Sequence, residues 1–572
     1  MKTLIQVIAT LLALALVTSP FAAAQYNLPF QHVIVVVQEN RTTTNLFAND
    51  AALAGKVHFP ATGACGTQTI TLAPYQLDAC FDASHAHTAW ETSYDTGKMD
   101  EFCEIPSGIA GCTVMEQAGI PTCTIVVKGV TKTVPCPQYT TVAAAQINPY
   151  YQLAQNGGFA NYMFQTNQGP SFPAHQFLFS GTSEPIAPTT KDYKFYAAEN
   201  ATFPKTDTDK HYGCLADVGT YVKQVNPTTG VEAKGYTPTY VAAADQTPGY
   251  PCYNHRTMVD VFGNATPSIT WRYYAPGKTP ASDGSLWDAP NAIFGICMPS
   301  GSTTNGTSTC TGSVYGSNVV NDLQVFTDLG ANPAQPQCTL PQVSWVIPDG
   351  NWSDHPGTVG HDGGPSWVSA IVNAVGGYNN DGTPLSTSCG YWANTAIIIT
   401  WDDWGGYYDD INSVAVMSAA NGAGVAGYPG TKNGTFYVYG FRVPLVVSST
   451  YAIPNYVSGG GVYPPTCPNT YCHDFGSILN FIEYAFGSGG TSLGEIGYST
   501  WHYADHYAQD TGKAPNNYSL HDFFNFKTTN PFVKITGAKY DTSCFLTQAS
   551  AGSCFPGYPK PPDNDAEDGD LD

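Results

Sequence analysis

The sequence predicts an α/β fold, a three-layer α/β/α sandwich with a mostly parallel central sheet. Four short apolar runs recur along the chain, at residues 32–37, 343–347, 396–400 and 443–448. Continuous apolar runs of this length are typical of strands buried on both faces of a parallel sheet. Residues 367–375 and 477–486 instead carry apolar residues at helical spacing. The order strand, helix, strand assigns these elements to one α/β sandwich.

The first predicted strand, 32–37, runs directly into Glu39 and Asn40. In open α/β sheets, ligands bind beyond the carboxyl ends of the strands. An acid and an amide at this position would therefore lie where oxygen ligands for a cation are useful. Taken alone, the motif is explained more simply as a polar strand end that enters a turn.

The predicted strand 396–400 also ends in acidic residues, Asp402 and Asp403, followed by two glycines. Adjacent carboxylates repel each other unless a cation or hydrogen bonds compensate. Glycine lets the backbone turn sharply or approach a ligand closely. Two strand ends of one sheet that both offer oxygen ligands predict a site for a hard metal ion. The alternative, a solvated acidic turn, is less favoured.

A third candidate is Ser171, which lies between two prolines in Gly169-Pro-Ser-Phe-Pro173 and is predicted to sit on a rigid turn. A serine hydroxyl attacks phosphorus only when its proton is removed, and a metal ion assists this without a histidine base. The segment lacks the Gly-x-Ser-x-Gly pattern of ordinary serine esterases. In isolation, a serine between prolines is usually only a turn residue.

Four histidines lie on polar, glycine-rich loops: His85, His87, His355 and His361. A single histidine is more often structural than catalytic. As a group, these four are candidates for metal ligands, for donors to phosphate oxygens or for a general acid.

Charge limits the partners of the chain. The 572 residues include 22 Lys and Arg and 44 Asp and Glu, which gives a formal net charge of -22. Such a surface repels nucleic acid and anionic membranes. An anionic substrate would therefore need a bound cation to hold it.

The first residues predict export. Lys2 is followed by the apolar run 4–17 and by a small-residue stretch that ends at Ala24. This pattern predicts a secretory signal cleaved after Ala24, a secreted or periplasmic protein, and no transmembrane anchor in the mature form. All 16 cysteines follow the predicted cleavage site. An even count in an exported chain favours disulfides over zinc, although the pairing stays open.

The predicted domain organisation has three parts: a signal peptide at 1–24, a catalytic domain at 25–558 and an acidic, disordered tail at 559–572. Within the catalytic domain, about 55–145 is rich in Cys, Thr and Pro, and about 185–340 is rich in Gly, Thr, Asn and Tyr. Both are predicted to be disulfide-held insertions that cover the sheet.

Six motifs together resemble the bacterial phosphoesterase family that joins phosphocholine-type phospholipases C with secreted acid phosphatases. In chain order they are His32-Val-Ile-Val-Val-Val-Gln-Glu-Asn-Arg41, Asp82-x-x-His85, Asp354-His355-Pro356, Gly364-Pro-Ser-Trp-Val368, Thr400-Trp-Asp-Asp-Trp-Gly-Gly-Tyr-Tyr-Asp409 and Ser477-Ile-Leu-Asn-Phe-Ile-Glu483. The resemblance spans residues 32–486 and implies an alkaline-phosphatase-like α/β/α core.

The resemblance also implies roles for particular residues. The expected ligands of a divalent metal ion are Glu39, Asn40, Asp402 and Asp403. Ser171 falls where the family places its Ser or Thr nucleophile. His85 and His355 are expected to contact phosphate oxygens or to protonate the leaving group. Oxygen ligands favour Ca, Mg or Mn, while nearby histidines would also suit Zn or Fe.

The chain departs from the Asp-Glu-His-Gly-Gly and Asp-His pattern of many family members. The comparable positions hold Asp403, Trp404 and Asp410. This moves the chain toward the acid-phosphatase-like members and makes a phospholipid substrate less certain. The expected function is hydrolysis of phosphate esters through a phosphoserine intermediate, with a small phosphate ester or a phospholipid as substrate.

Three alternatives remain. The first is a phospholipase C that acts on phosphodiester lipids. The second is a sulfatase, which is disfavoured because the sulfatase signature has an arginine where His175 stands. The third is a secreted binding module without activity, against which the presence of all proposed ligands and of Ser171 counts.

Overall fold

The computed structural model describes residues 26–109, 112–186, 195–205, 211–226, 231–241, 245–276, 286–300, 309–357, 362–412, 439–461, 472–498, 502–506, 518–547 and 554. The predicted signal peptide, the acidic tail and His361 lie outside these residues.

An eight-stranded sheet forms the centre of the fold. Its strands are β1 His32–Gln38, β2 Gly158–Ala160, β3 Trp271–Ala275, β4 Val319–Asn321, β5 Val343–Val346, β6 Thr395–Trp401, β7 Leu445–Ser449 and β8 Tyr456–Ser458. Their spatial order is β4-β3-β5-β1-β6-β7-β2-β8. Within this sheet, β7 alone runs antiparallel to its neighbours. The prediction of a mostly parallel sheet is confirmed, with β1, β5, β6 and β7 at the four predicted runs.

The register of β1 and β6 decides where the candidate ligands meet. The two strands are parallel neighbours, and Gln38 pairs with Trp401. Because both strands end at this pair, residues 39–40 and 402–403 leave the same edge of the sheet side by side. Valine and isoleucine fill both strands, and these side chains are completely buried, as expected for strands covered on both faces.

Six helices matter for the site and its surroundings: α1 Thr43–Phe47, α2 His87–Tyr94, α3 Asn148–Asn156, α4 Ser171–Ser180, α5 Gly364–Val375 and α6 Phe475–Ala485. Helices α5 and α6 confirm the two predicted from apolar spacing. Asp474 caps α6 through a capping box with Ser477, which satisfies backbone N–H groups that the helix itself leaves unpaired.

The prediction of a rigid turn at Ser171 was incomplete, because Ser171 is the first residue of α4. Proline is tolerated in the first turn of a helix, where backbone N–H groups have no intrahelical partner. The prolines that flank Ser171 are therefore compatible with a helix start as well as with a turn. Ser171 and the rest of α4 are buried.

Seven disulfides link described cysteines: Cys65–Cys103, Cys80–Cys112, Cys123–Cys136, Cys214–Cys252, Cys297–Cys310, Cys338–Cys389 and Cys544–Cys554. The predicted use of cysteine in disulfides is confirmed. The first three pairs hold the segment 55–145, which contains the hairpin of Thr122–Val127 and Val130–Pro135.

The segment 185–340 contributes more than a cover over the sheet. It supplies β3 and β4 to the central sheet, and a separate three-stranded sheet of Tyr196–Thr202, Tyr221–Asn226 and Val231–Ala233. The predicted domain boundaries remain a prediction. Among the helices that the structure describes, none has the length and apolar character needed to cross a bilayer.

Candidate functional site

The candidate site lies at the carboxyl ends of β1 and β6. Glu39, Asn40, Asp402 and Asp403 are all fully buried there. Backbone hydrogen bonds continue the contact beyond the strands, from Asp402 N to the Gln38 carbonyl and from Arg41 N to the Asp403 carbonyl, both at 2.9 Å. The four predicted metal ligands therefore converge on one buried region.

Asn40 adopts an unusual backbone conformation at this position. Its φ angle of 59° is in the left-handed region, which asparagine enters more readily than most residues. Its backbone N–H donates to Asp402 Oδ1 at 2.9 Å. A Cβ atom on Gly405 would lie only 2.2 Å from the Asn40 carbonyl oxygen. The predicted close approach at this glycine is thus an approach to the backbone of Asn40.

Ser171 faces one residue from each strand end. Its Oγ lies 3.1 Å from Asp403 Oδ2 and 3.3 Å from Asn40 Oδ1. Because the hydroxyl has one proton, these two oxygens are alternative acceptors for it. Ser171 also begins α4, whose N-terminal partial positive charge favours negative charge nearby. The structure therefore brings the predicted nucleophile together with two predicted metal ligands.

His175 joins the site from the next turn of α4, and sequence reasoning did not select it. Its Nε2 lies 3.3 Å from Glu39 Oε1 and 3.8 Å from Asp402 Oδ2. Its Nδ1 lies 3.4 Å from the Tyr273 hydroxyl. The sequence feature that could have indicated His175 is its position four residues after Ser171, because residues four apart share one face of a helix. That signal appears only once 171–180 is known to be helical.

Burial lowers the pKa of His175 to about 4, although the charge of Asp402 raises it. His175 is therefore neutral at neutral pH, which is the form that ligates metals. A neutral imidazole adds no positive charge to offset the carboxylates of the site.

His85 lies next to Asn40, with Nε2 3.2 Å from Asn40 Nδ2 and Nδ1 2.9 Å from the Ala83 carbonyl. A carbonyl oxygen only accepts, so Nδ1 carries a proton and, in the neutral ring, Nε2 accepts from the Asn40 amide. Asn40 Oδ1 then points to the Ser171 hydroxyl. This gives a connected series of hydrogen bonds from His85 through Asn40 to Ser171.

His355 lies beside His85, and their ring centroids are 6.2 Å apart. The Trp287 ring centroid lies 6.3 Å from that of His355. Its Nδ1 hydrogen-bonds to the Pro356 carbonyl at 2.7 Å. The structure thus places His355 close to His85.

Two other histidines make contacts of a structural kind. His87 begins α2, and its Nδ1 lies 2.8 Å from the Gln168 carbonyl. His473 is fully buried, and its Nε2 lies 2.8 Å from Ser458 Oγ in β8.

The chemistry of the donor set fits a divalent cation. Glu39, His175 and Asp402 each offer one ligand atom, and these atoms lie within 4.8 Å of one another. Among the described residues, Asp402 Oδ2 accepts no hydrogen bond. Buried carboxylates at this density are costly without a compensating cation. Oxygen donors with one imidazole nitrogen suit Mg, Mn, Ca, Zn or Fe.

Comparison with known proteins gives partial matches to bacterial enzymes. The non-hemolytic phospholipase C of Pseudomonas aeruginosa is 26% identical over 163 residues, that of Burkholderia pseudomallei 31% over 157, and the hemolytic phospholipase C of P. aeruginosa 30% over 154. Each alignment covers 26% of this chain and 20%, 19% and 18% of the respective relative. The chain thus matches about a fifth of each relative's length.

A much longer match comes from a family model. The model of the Phosphoesterase family matches residues 30–488. This range contains β1, β6 and α4, and with them every residue of the candidate site. The chain therefore belongs to the phosphoesterase family.

Proposed function

We propose that this protein is a metal-dependent phosphoesterase, which hydrolyses phosphate esters with Ser171 as the nucleophile. The observation that carries the proposal is the position of Ser171 Oγ, 3.1 Å from Asp403 Oδ2 and 3.3 Å from Asn40 Oδ1. A hydroxyl in this position lies within the group of buried carboxylates where a cation fits. Membership of the phosphoesterase family supports the same reaction class.

The residues that would hold the cation are Glu39, Asn40, Asp402 and Asp403, and we add His175 to the predicted set. A bound divalent cation would neutralise phosphate charge and favour the ionised form of the Ser171 hydroxyl. The carboxylates favour Ca, Mg or Mn, and the imidazole nitrogen of His175 widens the choice to Zn or Fe.

In the proposed reaction, Ser171 Oγ forms a bond to phosphorus while the bond from phosphorus to the ester oxygen breaks. Asp403 and Asn40 hold the hydroxyl in place before attack, and the N-terminus of α4 favours the negative charge that develops on Oγ. The serine proton passes to a carboxylate or to water. Water then cleaves the phosphoserine, which releases phosphate and restores the hydroxyl.

His85 and His355 are proposed to act on the leaving group and on phosphate oxygens. A protonated His85 would release the Asn40 amide and donate from Nε2 to the departing alcohol, while its Nδ1 stays held by the Ala83 carbonyl at 2.9 Å. His355 beside it would add a donor to a phosphate oxygen. The leaving group would then be located near His85 and His355.

A small phosphate monoester is the favoured substrate class, because Trp404 and Asp410 give the chain the acid-phosphatase-like pattern. A phospholipase C is the second candidate, and the names of the partial relatives support it. Export is also proposed from the N-terminal signal, and the disulfides support it.

We further propose that the fold is a three-layer sandwich, with helices on both faces of the sheet. Trp345 Nε1 of β5 donates to the Leu178 carbonyl of α4 at 3.1 Å. The Tyr150 ring of α3 packs against Trp401 of β6, with centroids 5.1 Å apart. Trp345 and Ile398 lie at the same level across the sheet, and Ile398 is three residues before Trp401 in its strand. Alternation along a strand therefore gives the two tryptophans opposite faces.

The test is hydrolysis of p-nitrophenyl phosphate, p-nitrophenyl phosphorylcholine and p-nitrophenyl sulfate by the purified protein, with and without chelator. Ser171→Ala should lower turnover of the preferred substrate at least about 1,000-fold. The matched control is Ser369→Ala, because Ser369 is equally buried in a helix and its Oγ donates within α5 to the Ser366 carbonyl.

The substrate that the protein prefers distinguishes between the candidate functions. Preference for the phosphate monoester supports a phosphatase, and preference for the phosphorylcholine diester supports a phospholipase C. Turnover of the sulfate ester alone would indicate a sulfatase. Failure of all three with each divalent metal supplied would indicate a binding protein, and full activity of Ser171→Ala would remove the serine from the mechanism.

A further inference from the structure

A second group of metal-ligating side chains lies on the chain after α6. It consists of Glu495, His502 and His506, called here the Glu495 cluster. His502 Nδ1 lies 2.9 Å from Glu495 Oε2, and His506 Nδ1 lies 2.7 Å from Glu495 Oε1. We infer that the Glu495 cluster is a second divalent-metal site, of the class that binds Zn²⁺.

The geometry of the two imidazoles allows both of them to bind one metal ion. The rings of His502 and His506 stack with centroids 3.6 Å apart and an interplanar angle of 15°. Both Nδ1 atoms face the same carboxylate, and one ligand atom from each residue lies within 4.8 Å of the others.

The ligand types select the class of metal. Two imidazole nitrogens and one carboxylate are a common zinc set, in which water fills the remaining position. Ca²⁺ and Mg²⁺ prefer oxygen ligands alone. The side chains of the cluster are 15–37% exposed, so an ion can enter from solvent and water can complete its coordination.

The backbone around the cluster is held in place by contacts that do not involve its three side chains. Asp505, between the two histidines, is fully buried, and its Oδ2 accepts from Ile496 N at 2.7 Å. The Asp505 carbonyl accepts from Asn480 Nδ2 of α6 at 3.0 Å. The segments that carry Glu495 and the histidines are therefore fixed to each other before any ion binds, which lowers the entropic cost of binding.

The cluster is separate from the candidate active site but connected to the same helix. Ala504 N donates to the Gly181 carbonyl at 2.8 Å, and Gly181 is the C-terminal cap of α4. Ser171 starts that helix, about 15 Å away at 1.5 Å per residue. An ion at the Glu495 cluster would stabilise the segment after α6, whose Ala504 contacts the far end of the helix that carries Ser171.

To test this, the purified full chain is dialysed to equilibrium against micromolar Zn²⁺. The bound zinc is then measured by inductively coupled plasma mass spectrometry. In an Asp402→Asn/Asp403→Asn background, which weakens the first site, the protein should still bind one equivalent. Adding His502→Ala/His506→Ala should remove that equivalent. The matched control is His58→Ala, because His58 also pairs with a carboxylate, Asp410 at 2.6 Å, but belongs to no metal-ligating group among the described residues.

A second measurement covers the case in which the double variant does not fold. Co²⁺ supplied in place of Zn²⁺ should give a visible d–d absorption in the same background, and Glu495→Gln should weaken Co²⁺ binding at least tenfold. Equal zinc counts with and without the two histidines, or an unchanged Co²⁺ affinity in Glu495→Gln, would overturn the inference. Neither result depends on whether the protein hydrolyses phosphate esters.

Discussion

At the scale of single residues, α4 presents two side chains to the candidate site. His175 faces Glu39 and Asp402, whereas Ser171 faces one partner from each of the same two strand ends. A change at His175 therefore acts on one half of the ligand set and leaves the serine hydroxyl in place. This separation allows metal binding and nucleophilic attack to be tested independently.

We expect His175→Ala to lower the affinity for the activating metal about 10–100-fold, because one ligand is lost from the set. Activity should fall at limiting metal and recover in part at excess metal. Metal titration of turnover measures this. The control is His473→Ala, since His473 is equally buried but contacts Ser458, and it should not change the metal requirement. Unaltered metal affinity in His175→Ala would remove His175 from the ligand set.

Asp354 gives a prediction about pH. Burial raises its pKa to about 6, although Arg41 and hydrogen bonds from Tyr150 and Trp401 lower it. Because the folded pKa is above the ordinary value, the fold favours the neutral carboxyl. Its contribution to stability is complete below about pH 4 and is lost as the pH rises through about 6.

We expect the Asp354→Asn variant not to lose this contribution to stability as the pH rises. Between pH 4 and pH 7, the free energy of unfolding of the variant relative to the parent should rise by roughly 2 kcal/mol. Urea unfolding across this range, with disulfides intact, measures the difference. Parallel curves for the two proteins would mean that Asp354 is ionised in the fold at both pH values.

At the scale of elements, the turn after β6 packs directly on the turn after β1. Gly405 has a φ angle of 56°, and a Cβ there would lie 2.7 Å from the Asn40 Cβ and closer still to the carbonyl oxygen. The two strand ends can therefore approach closely only if this residue has no side chain. The left-handed backbone of Asn40 is held by this contact and by its hydrogen bond to Asp402.

Gly405→Ala should displace Asn40 and lower turnover at least about tenfold, in addition to a backbone strain of about 1–2 kcal/mol. Gly390→Ala is the matched control, because Gly390 has a φ angle of 70° but a Cβ atom there would have nothing within 4 Å. This control variant should lose stability in urea unfolding because of the backbone strain, and its activity should be normal. Equal activity losses in both variants would contradict a specific role for the contact with Asn40.

At the scale of the whole molecule, disulfides hold the covering segment over the site. The Cys80–Cys112 bond encloses 32 residues of sequence separation, and His85 lies inside this loop. A Cβ on Gly406 would lie 2.5 Å from Ala83, so the loop is packed against the turn after β6. The position of His85 next to Asn40 therefore depends on the closed loop.

We expect Cys80→Ser/Cys112→Ser to lower the free energy of unfolding by about 3–4 kcal/mol and also to lower turnover, because His85 is released. Cys123→Ser/Cys136→Ser opens a hairpin with a separation of 13 residues and without a candidate site residue. It should cost about 3 kcal/mol and leave turnover of the folded protein unchanged. Equal turnover in the two variants would mean that His85 takes no part in the reaction.

The sequence by itself predicted four of the central strands and the positions of the candidate oxygen ligands. Runs of Val and Ile such as 32–37 and 396–400 are stable only when buried on both faces, so their composition predicts the parallel sheet. Polar residues directly after such strands lie at the ligand-binding edge, which predicted Glu39, Asn40, Asp402 and Asp403. These signals are local, and each can be identified within about ten residues.

Only the tertiary structure decided the position of His175 next to Glu39 and Asp402, the contribution of β3 and β4 to the sheet, and the disulfide pairing. His175 meets Glu39 across 136 residues of sequence, and α4 has apolar residues all round, so no periodic pattern marks the face that carries it. β3 and β4 are short strands within a segment rich in Gly and Thr. The physical reason is common to all three: each depends on contacts between distant segments, which no local pattern of residues encodes.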